Sequence, residues 1–198
     1  MIETILNMDI LGVSLILYLI GSIPFAIITS KLFRLQDPRS FGSGNPGATN
    51  VLRSGNKPAA ILTLLGDALK GYIPVLLLDQ MGLMQHTIYL MTFLILLGHA
   101  FPITLNFKGG KGVATSMGIL LALNLLVGVI LIIIWIIVYY TFRISGVSAI
   151  VSFVFLPLLM YMISNNPYMV ALSFVNTIFI IMTHKSNIIS FFSDKPTC

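Results

Sequence analysis

The sequence predicts an all-α polytopic membrane protein, and three observations lead to that fold class. Hydrophobic residues make up 57% of the 198 residues and charged residues only 9%, whereas a soluble domain carries about a quarter charged residues. Apolar runs long enough to cross about 30 Å of hydrocarbon recur along the chain. Lysines and arginines concentrate between these runs. We therefore expect one integral-membrane domain over residues 1–198.

Five apolar runs have about the 20 residues that a membrane-spanning helix requires. They cover residues 10–30, 58–78, 87–105, 146–163 and 168–183. No basic region precedes the first run and no clean small-residue cleavage site follows it. We interpret this run as a retained span rather than a signal peptide.

A sixth apolar run, residues 113–140, has no charge and is too long for one span and too short for two full ones. A break near Asn124, which has glycines on both sides, would split it into a short fourth span and a fifth span. Seven spans with the N-terminus outside place every loop Lys and Arg in the cytoplasm, whereas one long helix would put Arg143 outside. Because cytoplasmic loops are enriched in Lys and Arg, seven spans are favoured, with a cytoplasmic C-terminus that ends at Cys198.

The segment GSGNPGATN, residues 42–50, is the first polar loop with the features of a ligand site. Its glycines allow close approach of the backbone to a ligand, and Arg53 just after it can bind a phosphate bidentately. The alternative is a turn-rich connector in which Thr49 or Asn50 caps the next helix. The candidate substrate-binding residues of this loop are Ser43, Gly44, Asn45, Thr49 and Asn50.

The segment FKGGKGVAT, residues 107–115, is the second such loop. Consecutive N–H groups of a glycine-rich turn can form an anion-binding concavity, and the N-terminus of the following helix would add to the attraction. Leu105 and Gly112 stand where the nucleotide-binding pattern G-x-x-x-x-G-K-S/T requires a glycine and a hydroxyl, so this is not such a P-loop. A structural turn is the alternative. The candidate binding residues are Lys108, Gly109, Gly110, Lys111 and Gly112.

Ionisable residues within the spans are a third group of candidates, because charges at membrane depth usually serve a function. Asp67 and Lys70 are three residues apart and hence neighbours on one helix face. They either belong to a functional site or form a self-contained ion pair that packs the bundle. His99, shortly before the second loop, could act as a base, a hydrogen-bond donor or a loop anchor.

Several classes of function are disfavoured. The histidines lie far apart and the acids do not cluster, so we expect neither a metal nor another cofactor. No pattern typical of covalent catalysis is present, and the basic loops lack the interleaved aromatics of a nucleic-acid site. A transporter of small phosphorylated anions is the main alternative to an enzyme, although no internal repeat is visible. A non-catalytic lipid-binding membrane subunit is a weaker one.

Four segments resemble one known family, the bacterial acyl-phosphate:glycerol-3-phosphate acyltransferases, or PlsY family. They are GSIP (21–24), GSGNPGATN (42–50) with Arg53, DALKG (67–71) and GHAFP…FKGGKGVAT (98–115). The C-terminal part departs from the family pattern. In TFRISGVS the spacing is one residue shorter, which leaves the equivalence of Ser145 or Ser148 open, and ISFFSDKPTC lacks the family's downstream Arg-Leu and Gly-x-Glu elements. The segment HKSNI, which contains Asn187, is similar to the family's H-R-x-N-I.

The resemblance implies transfer of a fatty acyl group from acyl-phosphate to the 1-hydroxyl of sn-glycerol 3-phosphate. The products would be lysophosphatidic acid and phosphate, in the first step of phospholipid synthesis. It also implies a bacterial inner-membrane enzyme of seven spans with a cytoplasmic active site, surrounded by membrane lipid; we expect a monomer. The hydroxyl proton would pass to His99 or, by preference, to a substrate phosphate. The implied catalytic residues are Ser43, Arg53, His99 and Lys111, and Ser145, Ser148 and Asn187 complete the binding set.

Overall fold

The computed structural model describes residues 2–192, with side chains over residues 10–189, and its regular elements in that part are all helical. The position predicted for Cys198 lies outside these residues. Two short 3₁₀ turns, Pro38–Ser40 and Ile103–Leu105, accompany the α-helices. The α-helices are α1 (Ile2–Gly21), α2 (Phe25–Leu32), α3 (Ala48–Leu52), α4 (Lys57–Gln80), α5 (Gln85–Ala100), α6 (Val113–Leu123), α7 (Leu125–Phe142), α8 (Ser145–Ser164), α9 (Pro167–Thr183) and α10 (Lys185–Phe192).

Several of these helices can cross a membrane, as the sequence predicts. By length and composition α4, α5 with its following turn, α7 and α8 each qualify alone. The segment Ile10–Gly21 of α1 qualifies together with α2 as one bent pair, and α6 and α9 are shorter apolar helices. The all-helical membrane fold is confirmed, whereas the count of seven spans and the orientation of the termini stay predictions.

The first span differs from the continuous run predicted over residues 10–30. Helices α1 and α2 meet at an angle of 43°. Pro24 lies at the break, where it has no N–H to donate to a helix and restricts the residue before it. At the break, the carbonyl of Ser22 accepts a hydrogen bond from the Thr104 hydroxyl (2.8 Å) rather than from a helix N–H. The freed backbone is thus satisfied inside the protein, as required at membrane depth.

The predicted break at Asn124 is confirmed. Its side-chain oxygen accepts a hydrogen bond from the Val127 N–H (3.1 Å) and so caps the start of α7. A Cβ added to Gly128 would lie 2.8 Å from the Cα of Leu121, although a continuous helix would separate positions seven residues apart by about 10 Å. The chain therefore reverses at Asn124, and α6 and α7 form a tight hairpin.

Close packing of α4 on α6 sets the position of the second polar loop. A Cβ at Gly71 would overlap the Thr115 carbonyl, and a Cβ at Gly118 would overlap the Ala68 carbonyl. The two backbones can approach this closely only because both positions lack a side chain. As a result, the beginning of α6 lies against the middle of α4.

Buried polar side chains join three helices in the core of the bundle. The Ser116 hydroxyl on α6 donates to Asn176 on α9 (3.1 Å), and the Asn176 amide donates to the Tyr89 hydroxyl on α5 (3.1 Å). Fully buried apolar residues such as Leu120 and Phe153 pack around them. This network holds α5, α6 and α9 together, and the second polar loop runs between α5 and α6.

Candidate functional site

The first polar loop is shaped by Asn50, whose side chain is buried. Its amide oxygen accepts a hydrogen bond from the Ser43 N–H (3.0 Å), and its amide nitrogen donates to the carbonyls of Pro38 (2.6 Å) and Phe41 (3.1 Å). The amide is therefore used within the protein. Asn50 supports the loop, and the prediction that it contacts substrate is not supported by this geometry.

The prediction that Thr49 or Asn50 caps the next helix is wrong. Both residues lie inside the short helix α3, and the cap of α4 is Asn56, which accepts a hydrogen bond from the Ala59 N–H (2.9 Å). Because α3 is helical, Thr49 and Arg53 lie one turn apart and share a face. Both face the same cleft.

The second polar loop is packed against the end of α5. The N–H groups of Gly109 and Gly110 donate to the carbonyls of Ala100 and His99 (both 3.0 Å). These two amides are thus already paired, so the predicted anion-binding concavity is not formed from them. Gly112 has a left-handed backbone (φ 83°) that turns the chain into α6, a conformation for which glycine is suited.

Lys111 is the part of this loop that points to the rest of the site. Its ammonium donates a hydrogen bond to the side-chain oxygen of Asn187, and its carbonyl accepts one from Thr183 (3.0 Å). Burial lowers the pKa of Lys111, and the nearby Arg53 cation lowers it further. Burial also lowers the pKa of His184 to about 4, to which the charge of Lys111 contributes. The end of α9 and the start of α10 therefore complete the surroundings of Lys111.

A cleft of about 250 Å³ lies beside Lys111, and we call it the cationic cleft. Arg53 and Arg143 contribute to its wall, and Lys111 contacts Asn187, another wall residue. Within the described residues, the ion pairs with N–O distances up to 4.0 Å involve only Asp37 and Asp67 as acids, and neither pairs with these three cations. The cleft is lined by Thr49, Leu52, Arg53, Tyr139, Arg143, Ile144, Ser145, Gly146 and Asn187.

The structure distinguishes the two serines that the sequence left open. Ser145 lines the cationic cleft at the start of α8. Ser148 is fully buried, and its hydroxyl donates to the Ile144 carbonyl (3.0 Å). Ser145 is therefore placed to contact a ligand, whereas the predicted binding role of Ser148 is not supported.

Arg143 and Tyr139 belong to the cleft but were not among the predicted site residues. Arg143 follows α7 with a left-handed backbone (φ 59°), and its guanidinium lies 5.2 Å from the ring centroid of Tyr140. The charge of Arg143 and its position in a loop on the predicted cytoplasmic side could have indicated that it belongs to the site. Nothing in the sequence pattern distinguishes Tyr139 from the other aromatic residues of α7.

Ser43, Gly44, Asn45 and Lys108 are further predicted site residues that do not line the cleft. Ser43 is exposed, and its hydroxyl accepts a hydrogen bond from the Asn45 N–H (3.4 Å). Gly44 and Lys108 are also exposed. Their contacts with substrate stay predictions.

Asp67, Lys70 and His99 form a separate group beneath the second loop, which we call the Asp67 cluster. The Lys70 ammonium lies 2.8 Å and the His99 Nδ1 lies 3.6 Å from the Asp67 carboxylate. The expected ion pair is present, but it is not self-contained, because a histidine of α5 joins it. The adjoining cavity of about 10 Å³ has room for roughly one water.

His99 lies outside the residues that line the cationic cleft and, unlike Lys111, has no hydrogen bond to one of them within the described residues, so its catalytic role stays a prediction. The sequence does not reveal that His99 faces an acid, because Asp67 lies on a different helix. No group of three or more His, Cys, Asp or Glu side chains that could hold a metal occurs within the described residues.

Comparison with known proteins places this arrangement in a family. The family model described as glycerol-3-phosphate acyltransferase matches residues 11–194. A glycerol-3-phosphate acyltransferase of Nitrosomonas eutropha is 49% identical over 184 residues, which cover 91% of this chain and 92% of the relative. One from Dechloromonas aromatica is 53% identical over 142 residues, 72% of each chain.

Two solved structures have a fold similar to that of this chain. The crystal structure of PlsY (YgiH), described as an integral membrane glycerol 3-phosphate acyltransferase in its glycerol 3-phosphate form, superposes with a TM-score of 0.87. The two sequences are 30% identical, over 94% of this chain and 93% of that one. Its lysophosphatidic acid form gives a TM-score of 0.85 at 29% identity, with the same coverage.

Proposed function

The chain belongs to the glycerol-3-phosphate acyltransferase family, and we propose that it transfers a fatty acyl group from acyl-phosphate to the 1-hydroxyl of sn-glycerol 3-phosphate. The products are lysophosphatidic acid and inorganic phosphate. The observation that carries this proposal is the cationic cleft, which Arg53 and Arg143 line and which Lys111 adjoins through Asn187, with no carboxylate of the described residues paired to any of the three. Both proposed substrates carry a phosphate that can supply the missing negative charge.

The cleft offers a suitable contact for each part of the substrates. Arg53 and Arg143 have planar guanidinium groups that can bind phosphate bidentately, and Lys111 adds a compact ammonium. Ser145 and Asn187 offer neutral hydrogen-bonding groups for the glycerol hydroxyls. The apolar wall, formed by Leu52, Ile144 and the Tyr139 ring, suits the first carbons of an acyl chain on its way into the lipid.

The chemistry requires little beyond position and charge. The 1-hydroxyl oxygen attacks the acyl carbonyl carbon, an ester bond forms, and the bond from that carbon to the phosphate oxygen breaks. Among the described residues no Asp, Glu or His lines the cleft, so we assign the hydroxyl proton to a phosphate oxygen of a substrate. Because acyl-phosphate is already activated, orientation of the two substrates and stabilisation of negative charge by Arg53, Arg143 and Lys111 supply the acceleration.

The assay that tests this reaction uses the purified full-length protein with acyl-phosphate and glycerol 3-phosphate. We expect phosphate release that depends on glycerol 3-phosphate and is matched by lysophosphatidic acid formed. Acyl-coenzyme A should give little or no product, because nothing in the chain is typical of a nucleotide site. Comparable rates with both donors would contradict the proposed donor. Passage of glycerol 3-phosphate across vesicles without phosphate release would indicate a transporter instead.

The same proposal includes the topology. Seven spans arise if the α1–α2 pair and helices α4 to α9 each cross the membrane, with the N-terminus outside and the cleft facing the cytoplasm of a bacterial plasma membrane. The support is that Arg53, Lys111 and Arg143 share one end of the bundle, as cytoplasmic loops require. An impermeant thiol reagent should label Cys198 in opened cells only. Labelling in intact cells would contradict this orientation.

A further inference from the structure

Packing alone does not explain why the Asp67 cluster consists of ionisable residues. The side chains of Asp67 and Lys70 are only 5% and 3% exposed, and His99 is buried beside them. Removing charges from water is costly, and apolar residues of similar size often stabilise a protein as well as a buried ion pair does. Buried ionisable groups in a membrane bundle therefore call for another role.

One side of the cluster supports the break between α1 and α2. The Lys70 ammonium, held by Asp67, donates a hydrogen bond to the Ile23 carbonyl (3.0 Å). Ile23 precedes Pro24, where the helix is interrupted. Lys70 thus satisfies a carbonyl that the break leaves without a helical partner.

The other side of the cluster supports the loop that carries Lys111. The His99 carbonyl accepts the N–H of Gly110 (3.0 Å), and a Cβ at Gly110 would overlap the Nε2 atom of the His99 ring. The Nδ1 atom of the same ring lies 3.5 Å from the hydroxyl of Thr115. His99 therefore contacts the chain on both sides of Lys111, and Asp67 faces the ring at 3.6 Å.

We propose that Asp67 is a positioning residue for Lys111. Its carboxylate orients the His99 imidazole, the imidazole packs against Gly110 and contacts the Thr115 hydroxyl, and these contacts fix the chain on both sides of Lys111 so that its ammonium is directed towards Asn187 and the cationic cleft. Asp67 lines no part of the cleft and touches no reacting atom. This role rests on the proposed function, since it concerns the same phosphate site.

The test is a double-mutant cycle between Asp67→Asn and Lys111→Ala, measured as kcat/KM per folded protein. Asp67→Asn keeps the shape of the side chain and removes its charge. If Asp67 acts through Lys111, it should lower kcat/KM by roughly tenfold in the wild-type background, and less than about threefold when Lys111 is already alanine. The affinity for glycerol 3-phosphate, measured by calorimetry, should show the same pattern.

The matched control is Thr63→Val, on the same helix and equally buried. The Thr63 hydroxyl contacts Thr29 (2.6 Å) and the Ala59 carbonyl (2.8 Å), and neither belongs to the loop or the cleft. This variant should lose thermal stability without changing kcat/KM per folded protein. If Asp67→Asn does not accumulate, the double variant Asp67→Asn/Lys70→Met replaces it, because removing both charges avoids a lone buried ammonium.

Each outcome is decisive for one claim. Equal losses from Asp67→Asn in both backgrounds, or wild-type kcat/KM and affinity in Asp67→Asn, would overturn the positioning role. A wild-type protein that forms no lysophosphatidic acid would instead overturn the proposed function. Non-additive losses in both kcat/KM and binding would support the role, because general destabilisation would not depend on Lys111.

Discussion

The cationic cleft and the Asp67 cluster hold charges in opposite ways, although the FKGGKG loop touches both. In the cluster, one carboxylate lies within 4 Å of two basic side chains, and all three are buried. At the cleft, Arg53 and Arg143 line the wall, Lys111 lies beside it, and no described carboxylate pairs with any of them. In the cluster the carboxylate has basic partners inside the protein, whereas the cations at the cleft have no described acidic partner, as expected of a site that takes an anion from outside. This difference is the basis of the proposal that the cluster positions the loop and the cleft binds substrate.

Removing a guanidinium from the cleft should have the largest effect. Two charge-assisted hydrogen bonds contribute about 1.5–3 kcal/mol each, so Arg53→Ala should lower kcat/KM by roughly a hundredfold or more. Arg53→Lys keeps the charge without the planar fork and should recover only part. The measurement is steady-state kinetics per folded protein, with the inserted amount scored separately. Near-normal kinetics in Arg53→Ala would mean that an unpaired cation of the cleft is not a binding group.

A carboxylate introduced beside the cleft should pair with its cations, as Asp67 pairs with the basic residues of the cluster. Asn187→Asp would place a carboxylate against Lys111, where it would compete with a substrate phosphate. A charge-assisted bond of about 1.5–3 kcal/mol predicts a rise in KM for glycerol 3-phosphate of roughly tenfold or more. Asn187→Ala, which adds no charge, should have a smaller effect. If the two variants behave alike, the absence of a carboxylate from the cleft is not what allows binding.

The protonation of Lys111 should be visible in the pH dependence of binding. Burial and Arg53 lower the pKa of Lys111, so its ammonium loses the proton at a lower pH than an exposed lysine does. The affinity for glycerol 3-phosphate should therefore fall as the pH rises through this lowered pKa, by roughly severalfold within one unit. In Lys111→Arg the fall should be absent over that range, since arginine stays charged. Identical profiles in the two proteins would contradict this assignment.

Substitution of the two serines of α8 should give the smallest difference in kcat/KM. Ser145 lines the cleft, and Ser148 bonds to its own helix. A neutral hydrogen bond contributes about 0.5–1.5 kcal/mol, so Ser145→Ala should lower kcat/KM about two- to tenfold. Ser148→Ala should leave it unchanged per folded protein, and a larger loss in Ser148→Ala than in Ser145→Ala would reverse the placement of the two serines.

The sequence was sufficient to predict those features that depend on local chemistry. Lipid-length apolar runs predict the helical membrane bundle, and a polar residue in an uncharged run predicts the break at Asn124. The break at Pro24 also has a local cause, but the first span was predicted from the hydropathy of residues 10–30, and one proline hardly changes that average. Cations in glycine-rich loops predict Arg53 and Lys111 as partners of phosphate.

What could not be predicted depends on tertiary contacts. An asparagine in a glycine-rich loop is equally suited to bind a ligand or to brace the backbone, and only the hydrogen bonds of Asn50 to three backbone groups show that it braces. His99 was placed near the correct loop, but its acid partner Asp67 is on another helix. The choice between Ser145 and Ser148 required knowing which hydroxyl faces the cleft.

The most direct test of the central claim is calorimetric titration of glycerol 3-phosphate into the purified protein and two lysine variants. Lys111→Ala removes an unpaired cation beside the cleft, and Lys57→Ala removes an exposed cation at the start of α4 that does not line it. Since a charge-assisted bond contributes about 1.5–3 kcal/mol, we predict that Lys111→Ala raises Kd by roughly tenfold or more and that Lys57→Ala leaves it within about twofold of wild type. Wild-type affinity in Lys111→Ala, or an equal loss in both variants, would contradict the account.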